Sequence, residues 1–369
     1  MSSPSKKILF VGQLPPPFHG QAVVNGLVFE AEWQSFEKVV LPMEYSKTID
    51  DVGSAGFSKV IHLISLILKT WKIWLVERPD AIYYPPASAH KVPVLRDIIY
   101  LGCTRFLFKK TVFHFHAGGL GQYLDSIGLL GKLAKWVYRK PDLAIELYRE
   151  ADSPGEYLGA KKVSIVPNGL AVEGEAASMM EGTDITMMFV GSLREDKGVL
   201  DVIRTVTELK KRGSHVRVQL AGGWVSEDFR KEAEALVKEL EVEDRIEWLG
   251  IIQGDVKWAA FRRSHCFFFP TFYHSEKFPL VLIEALGMGL PVVSTNWRGI
   301  PQLLEGSDAA AIHEVGDVEG FANAIQRLDE DREKCRVCGA NARSHYEKNY
   351  NLEKFLGSME KCLEAGLKL

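Results

Sequence analysis

The sequence predicts an α/β chain carrying two Rossmann-like parallel sheets, and three observations lead there. Short apolar runs recur along both halves, most of them closed by a glycine or proline turn and followed by a helix-like stretch. The length, 369 residues, suits two domains of ordinary size. The composition, 46% hydrophobic and 25% charged, supplies two cores and reads as globular.

The first strand is the apolar run at 6–12. A stiff proline loop follows and ends in Gly20-Gln21, with a helix over 22–30. A glycine after a first strand lets a backbone N–H approach a phosphate closely, and it serves a plain strand-to-helix turn equally well. Residues 57–76 are apolar on most faces and include Lys69, Trp71, Lys72 and Trp74. They read either as a buried crossover helix or as an amphipathic surface at a bilayer. Residues 96–110 are again basic and aromatic. The next strands are 81–84, 111–115, 143–147 and 162–168. Alternation puts His114 and His116 on one face of their strand, with His116 at the carboxyl end, where open α/β sheets bind ligands. His114, one pleat inward, reads as a core residue.

Small polar residues at 173–184 mark the linker, giving domains of 1–172 and 173–345, with the tail 346–369 assigned to the first. The second half repeats the alternation, with strands at 185–190, 216–221, 245–250 and 266–270 and a charged helix at 227–241. Gly191-Ser192-Leu193-Arg194-Glu195-Asp196-Lys197-Gly198 joins a strand to a helix beginning at Val199, a plausible pyrophosphate cradle. Glu276 and Glu284 then stand eight residues apart, the second in an apolar run that closes on Gly287-Met288-Gly289-Leu290-Pro291. A helix over 278–288 would place Glu276 at its mouth and Glu284 about two turns in. Two readings fit: a carboxylate pair taking sugar hydroxyls, or a salt-bridged helix start with one half-exposed Glu.

This segment, 276–293, resembles the Glu-x7-Glu motif of glycosyltransferase family 4, retaining enzymes of GT-B fold that use nucleotide sugars. Further matches follow in order along nearly the whole chain. His116 matches a histidine near the donor sugar and acceptor, Pro167-Asn168-Gly169 a junction turn, and Lys197-Gly198 the family Lys-Gly in register. Residues 294–301 resemble the family's glycine-rich turn toward the donor. Two positions depart: Gln21 stands where the family has a second glycine, and Ser192 where it has an arginine. The resemblance implies two domains facing a cleft, a C-terminal helix crossing back to the first, and metal-independent hexosyl transfer without a resident cofactor. It implies His116, Lys197 and Glu276 as catalytic residues. Gly20, Gln21, Gly191, Ser192, Arg194, Phe278, Pro279, Leu280 and Glu284 join Lys197 and Glu276 at the donor, with Glu276 on sugar hydroxyls and Glu284 on the ribose. The implied partners are a nucleotide sugar and a glycan or lipid-linked acceptor, as in bacterial surface polysaccharide assembly. Rival readings are a nucleotide-sugar epimerase and a non-catalytic subunit of the same fold.

Bulk properties narrow the classes further. Neither half has Gly-x-Gly-x-x-Gly after its first strand, which disfavours a dehydrogenase. Five dispersed cysteines, with one Cys335-x-x-Cys338 and no second pair, suit a reducing compartment rather than a zinc site. A polar N-terminus over 1–7 predicts no secretory signal, and His62, Lys69 and Lys72 break the longest apolar run, so no spanning helix is expected. A cytoplasmic protein is therefore expected, with no nucleic-acid partner. Up to Leu170 there are 20 Lys and Arg against 15 Asp and Glu, while the rest has 25 against 33. A mildly basic first half suits contact with an anionic membrane or ordinary scatter.

Overall fold

The computed structural model describes residues 6–16, 18–43, 57–86, 88–174 and 184–368. The expected linker falls mostly on 175–183, outside the described residues, as does most of the N-terminal stretch 1–7. Two compact units emerge: Met1–Asn168 with Glu353–Leu369, and Gly169–Leu352. The first junction thus falls after Asn168, in the Pro-Asn-Gly turn, rather than after residue 172.

In the first unit, strands β1 (Lys7–Gly12), β2 (Glu37–Pro42), β3 (Ala81–Tyr84), β4 (Lys110–Phe115), β5 (Leu143–Glu146) and β6 (Val163–Ile165) form one sheet. Its order is β2-β1-β3-β4-β5-β6, with every pairing parallel. Helices α1 (Gly20–Glu30), α2 (Phe57–Glu77), α3 (Lys91–Thr104), α4 (Leu120–Ser126), α5 (Gly128–Tyr138) and α6 (Pro154–Tyr157) connect the strands. A parallel sheet is covered on both faces, so its strands read as unbroken apolar runs. Leu9, Val11, Ile82, Tyr84 and Phe113 face one core with α2, α3 and α5. Phe10 and Tyr83 face the other way, onto Phe29 of α1, at ring-centroid distances of 5.5 and 6.1 Å. The buried Asp97 carboxylate is satisfied by the Tyr84 and Tyr138 hydroxyls, at 2.6 and 2.7 Å, and by Arg96.

The second unit has strands β7 (Thr186–Val190), β8 (Arg217–Ala221), β9 (Ile246–Gly250), β10 (Cys266–Phe269), β11 (Val292–Thr295) and β12 (Ala310–His313). They pair in the order β12-β11-β10-β7-β8-β9, all parallel. Helices α7 (Val199–Lys211), α8 (Glu227–Glu239), α9 (Gly254–Arg262) and α10 (Leu280–Gly287) lead into α11 (Ile300–Leu304), α12 (Val318–Glu330) and α13 (Arg332–Asn349). The last helix, α14 (Leu352–Leu367), lies almost wholly in the first unit. Its Glu360 carboxylate accepts the backbone N–H of Gln34 and Ser35, at 2.6 and 2.8 Å.

Several expectations need correction. The helix expected over 278–288 begins at Leu280, because Pro279 caps it in an extended conformation. Glu276 therefore sits in the preceding turn, and Glu284 only one turn into the helix. The tail is not one helix from 346: α13 ends at Asn349 and stays with the second unit. Helix α1 starts at Gly20, two residues early, because the His19 side chain accepts from Ala22 N–H. Strands β2 and β12 had no sequence counterpart. Both are sheet edges with mixed burial, so their apolar signal is weak.

Candidate active site

The strand order of the second unit reverses between β7 and β10. Chains leaving the carboxyl ends of those strands run to opposite sides, opening a crevice at the switch point. Two loops meet there, 191–198 after β7 and 270–279 after β10.

Backbone contacts lock them together. Phe272 N–H donates to Asp196 O at 2.8 Å, and Thr271 Oγ1 donates to the same oxygen at 3.3 Å. Gly198 has φ of 80°, and a Cβ there would lie 2.2 Å from Pro270 O, so only glycine fits. Gly222 is equally constrained, since a Cβ would fall 1.8 Å from Gly191 O. Serine and threonine of β11 fasten the second loop from below, with Ser294 Oγ donating to Phe269 O at 2.6 Å and Thr295 Oγ1 to Thr271 O.

Lys197 and Glu276 form an ion pair across the loops, with side chains only 14% and 11% exposed. The Lys197 ammonium also lies over Tyr273, 4.6 Å from the ring centroid, and 5.4 Å from that of Phe269. Arg194 takes the other approach to Tyr273, its guanidinium 4.8 Å from the same centroid. Asp196 holds it there, with Arg194 Nη2 donating to Oδ2 at 2.8 Å. Trp297 Nε1 donates to Tyr273 O at 2.8 Å and pins the ring's backbone. Tyr273 thus lies beside two cations, each paired with its own carboxylate, Lys197 with Glu276 and Arg194 with Asp196. An anionic ligand entering here would reach these cations by displacing Glu276 from Lys197 or Asp196 from Arg194.

Glu284 is also ion-paired, to Lys257 of α9 at 2.9 Å, with side chains 15% and 21% exposed. In the free chain both carboxylates therefore have lysine partners. Gly191 and Ser192 sit in the loop after β7, with Ser192 exposed. Phe278 and Pro279 are buried, and Phe278 packs edge-on against Tyr350 with centroids 5.8 Å apart.

Three of the expected residues belong to the first unit. His116 follows β4 directly, half-buried, its ring centroid 4.0 Å from that of His114. His114 is fully buried and shares a hydrogen bond with Tyr83 Oη at 2.5 Å from Nδ1, as a core residue does. Gly20 and Gln21 open α1 after β1, at the switch point of that sheet between β1 and β3. Sequence reading missed Tyr273, Asp196, Lys257 and Trp297. The aromatic pair Phe272-Tyr273 just ahead of Glu276 was the available signal for the first. Lys257 carried none, since its helix is distant in sequence from Glu284.

Comparison with known proteins bears on this geometry. Residues 175–345 match the family described as glycosyl transferases group 1. An N-acetyl-alpha-D-glucosaminyl L-malate synthase from Bacillus anthracis is 32% identical over 125 residues, covering 34% of this chain and 32% of its own. A capsular polysaccharide biosynthesis glycosyltransferase, CapM of Staphylococcus aureus, is 24% identical over 180 residues, 49% of this chain and 46% of its own. The aligned part thus spans a third to a half of these relatives. Among solved structures, Anabaena Alr3699/HepE in complex with UDP superposes with a TM-score of 0.72 at 15% identity, over 97% of this chain and 100% of that one. With its two six-stranded Rossmann-like units the chain has the GT-B fold of these solved structures, and its residues 175–345 resemble glycosyl transferases group 1.

Proposed function

We propose that the chain is a retaining glycosyltransferase that moves a sugar from a nucleotide-sugar donor to a glycan or lipid-linked acceptor in bacterial surface polysaccharide or glycolipid assembly. The observation that carries this reading is the Lys197–Glu276 pair at the switch point of the second sheet, flanked by Arg194 on Tyr273. Capsular polysaccharide synthesis by one relative and UDP in one structural neighbour agree with it.

In this mechanism the donor diphosphate enters between the loops and takes Lys197 from Glu276. Charge grows on the diphosphate as the glycosidic bond breaks, and Lys197 with Arg194 stabilises it. Arg194 reaches from two residues beyond Ser192 and supplies the second cation. Glu276, released, accepts hydrogen bonds from donor-sugar hydroxyls. Glu284 exchanges Lys257 for the ribose hydroxyls. The departing phosphate takes the acceptor proton, and His116 serves the acceptor side. No metal or resident cofactor has a part, so activity should persist in EDTA. Loss restored by a divalent ion would contradict this. A cytoplasmic site at the inner membrane face fits the five free cysteines.

A panel of nucleotide sugars tests the reading by thermal stabilisation. A true donor at a hundred times its Kd adds about 2.7 kcal/mol and raises the melting temperature. Stabilisation followed by labelled sugar in an added acceptor supports transfer. Release of an isomerised nucleotide sugar without acceptor would support an epimerase, and binding with no turnover a non-catalytic subunit.

A further inference from the structure

In the first unit, α2 packs on α3 and α3 on α5, all three against one face of the sheet. Their outer faces are unusually apolar. On α2, Ile61, Ile64, Leu68, Trp71 and Leu75 recur every three or four residues and are exposed, Leu68 at 64%. This stripe is additional to the core stripe of Leu63, Leu66 and Ile73. On α3, Val92, Leu95 and Ile99 continue it with the same spacing. On α5, Leu129, Leu133 and Trp136 do so again, with Leu129 at 73% and Trp136 at 55%. Trp71 is fixed at the α2–α3 seam by donating Nε1–H to Cys103 O at 3.0 Å, with Phe106 edge-on to it. A contiguous face of this kind on a globular unit marks a surface that is covered in use.

The charge on these segments is one-sided. Residues 57–77, 91–110 and 126–140 hold 12 Lys and Arg against two acids, Asp97, which is buried, and Glu77 at the end of α2. Lys69, Lys72, Lys91, Lys132, Arg139 and Lys140 are exposed beside the apolar stripes. Long basic side chains flanking exposed Trp and Leu suit a headgroup layer, with stems in the apolar zone and charges at phosphate depth. No helix among the described residues is long and apolar enough to cross a membrane, so contact is made from one side.

We propose that the outer face of α2, α3 and α5 docks the chain reversibly on an anionic lipid bilayer. A second copy of the chain is the poorer occupant, because twofold pairing sets this face against itself and brings like charges together. Docking stands on this surface alone; it rests on the lipid-linked acceptor reading only for its purpose, which is to bring the first unit to an acceptor held in the same bilayer.

Flotation with phosphatidylglycerol–phosphatidylcholine vesicles, against pure phosphatidylcholine, tests it with the full chain. Binding should require the anionic lipid and fall steeply as salt rises from about 0.05 to about 0.5 M. Lys69→Gln with Lys72→Gln should weaken it by roughly fivefold per lysine. Leu68→Gln with Trp136→Gln should abolish most of the remainder at low salt. All four positions are exposed, and an unchanged melting temperature confirms the fold of each variant. No flotation at low salt, equal flotation with both vesicles, or full retention by the Leu68/Trp136 variant overturns the proposal. So does a dimer in sedimentation that this variant dissociates, or equally strong binding to polyglutamate, which points to an acidic protein. Donor-induced stabilisation separates the two readings: vesicle binding without it defeats the transferase and leaves docking intact, and the reverse defeats docking alone.

Discussion

At the scale of single residues, Lys197 is held in a setting that is easily changed by a ligand. Its partners are one carboxylate and two aromatic faces, and in the proposed mechanism a diphosphate takes the place of the carboxylate. Lys197→Ala should lower turnover by about a hundredfold or more, with the chain still folded by circular dichroism. Unchanged turnover would remove the lysine from the mechanism. His19 makes a different prediction. Its Nδ1 accepts from Ala22 N–H at 3.3 Å to cap α1, so this nitrogen must be unprotonated, and burial lowers its pKa below the usual 6.5. A folded value below the unfolded one means the contribution is complete above about pH 6.5 and is lost as pH falls through the folded value. His19→Asn keeps a cap without the titration, so its melting temperature should fall less between pH 7.5 and pH 5.5 (about those values) than that of the parent. An identical fall in both would sink the assignment. These residues were unequally legible. Lys197 and Glu276 were readable because a glycine turn and an acid ahead of an apolar run are local patterns. Tyr273, which organises both cations, acts through ring position, and Lys257 through a partner 27 residues away. Lys257 leaves no local trace, and Tyr273 only that of an aromatic pair ahead of Glu276.

Secondary-structure elements set the next scale. Helix α10 has eight residues, and Pro279 fixes where it starts, so Glu284 is presented from its second turn beside α9. If its work is to hold ribose hydroxyls, that contact is the same in ground and transition states. Glu284→Gln should then raise the donor KM by about tenfold with little change in kcat, the sign of uniform binding. A matching fall in kcat would instead place Glu284 at the reacting centre. Central strands such as β1, β4, β7 and β10 were legible because burial on both faces leaves a run of apolar residues. Edge strands β2 and β12 were not, since half of each meets solvent. Helix α2 shows the reverse problem. Apolar residues all round left burial and a bilayer surface both open, one of its two apolar stripes faces outward, and no periodicity can say whether a second stripe meets protein or another phase.

For the molecule as a whole, the return of α14 makes the first unit discontinuous. Phe355, Met359, Leu363 and Leu367 are buried in it, each worth about 1.5–3 kcal/mol. Their sum is comparable with the stability of an ordinary domain. Stopping the chain at Leu352 should therefore strip hydrogen-exchange protection from β1, α1 and β5 while β7, β8 and β10 keep theirs. Equal protection in both units would show α14 to be an accessory.

The same helix has a consequence for how the protein is made. A ribosome delivers the chain from its N-terminus, and most chains let the first domain close before the second is written. Here the sheet of residues 1–168 must wait for its last helix until residues 353–367 have been made, after the whole of the unit spanning 169–352. The order of closure is thus inverted relative to the order of synthesis. Through that interval the groove reserved for α14 stays open to water, and that is when a holding chaperone would have most to grip.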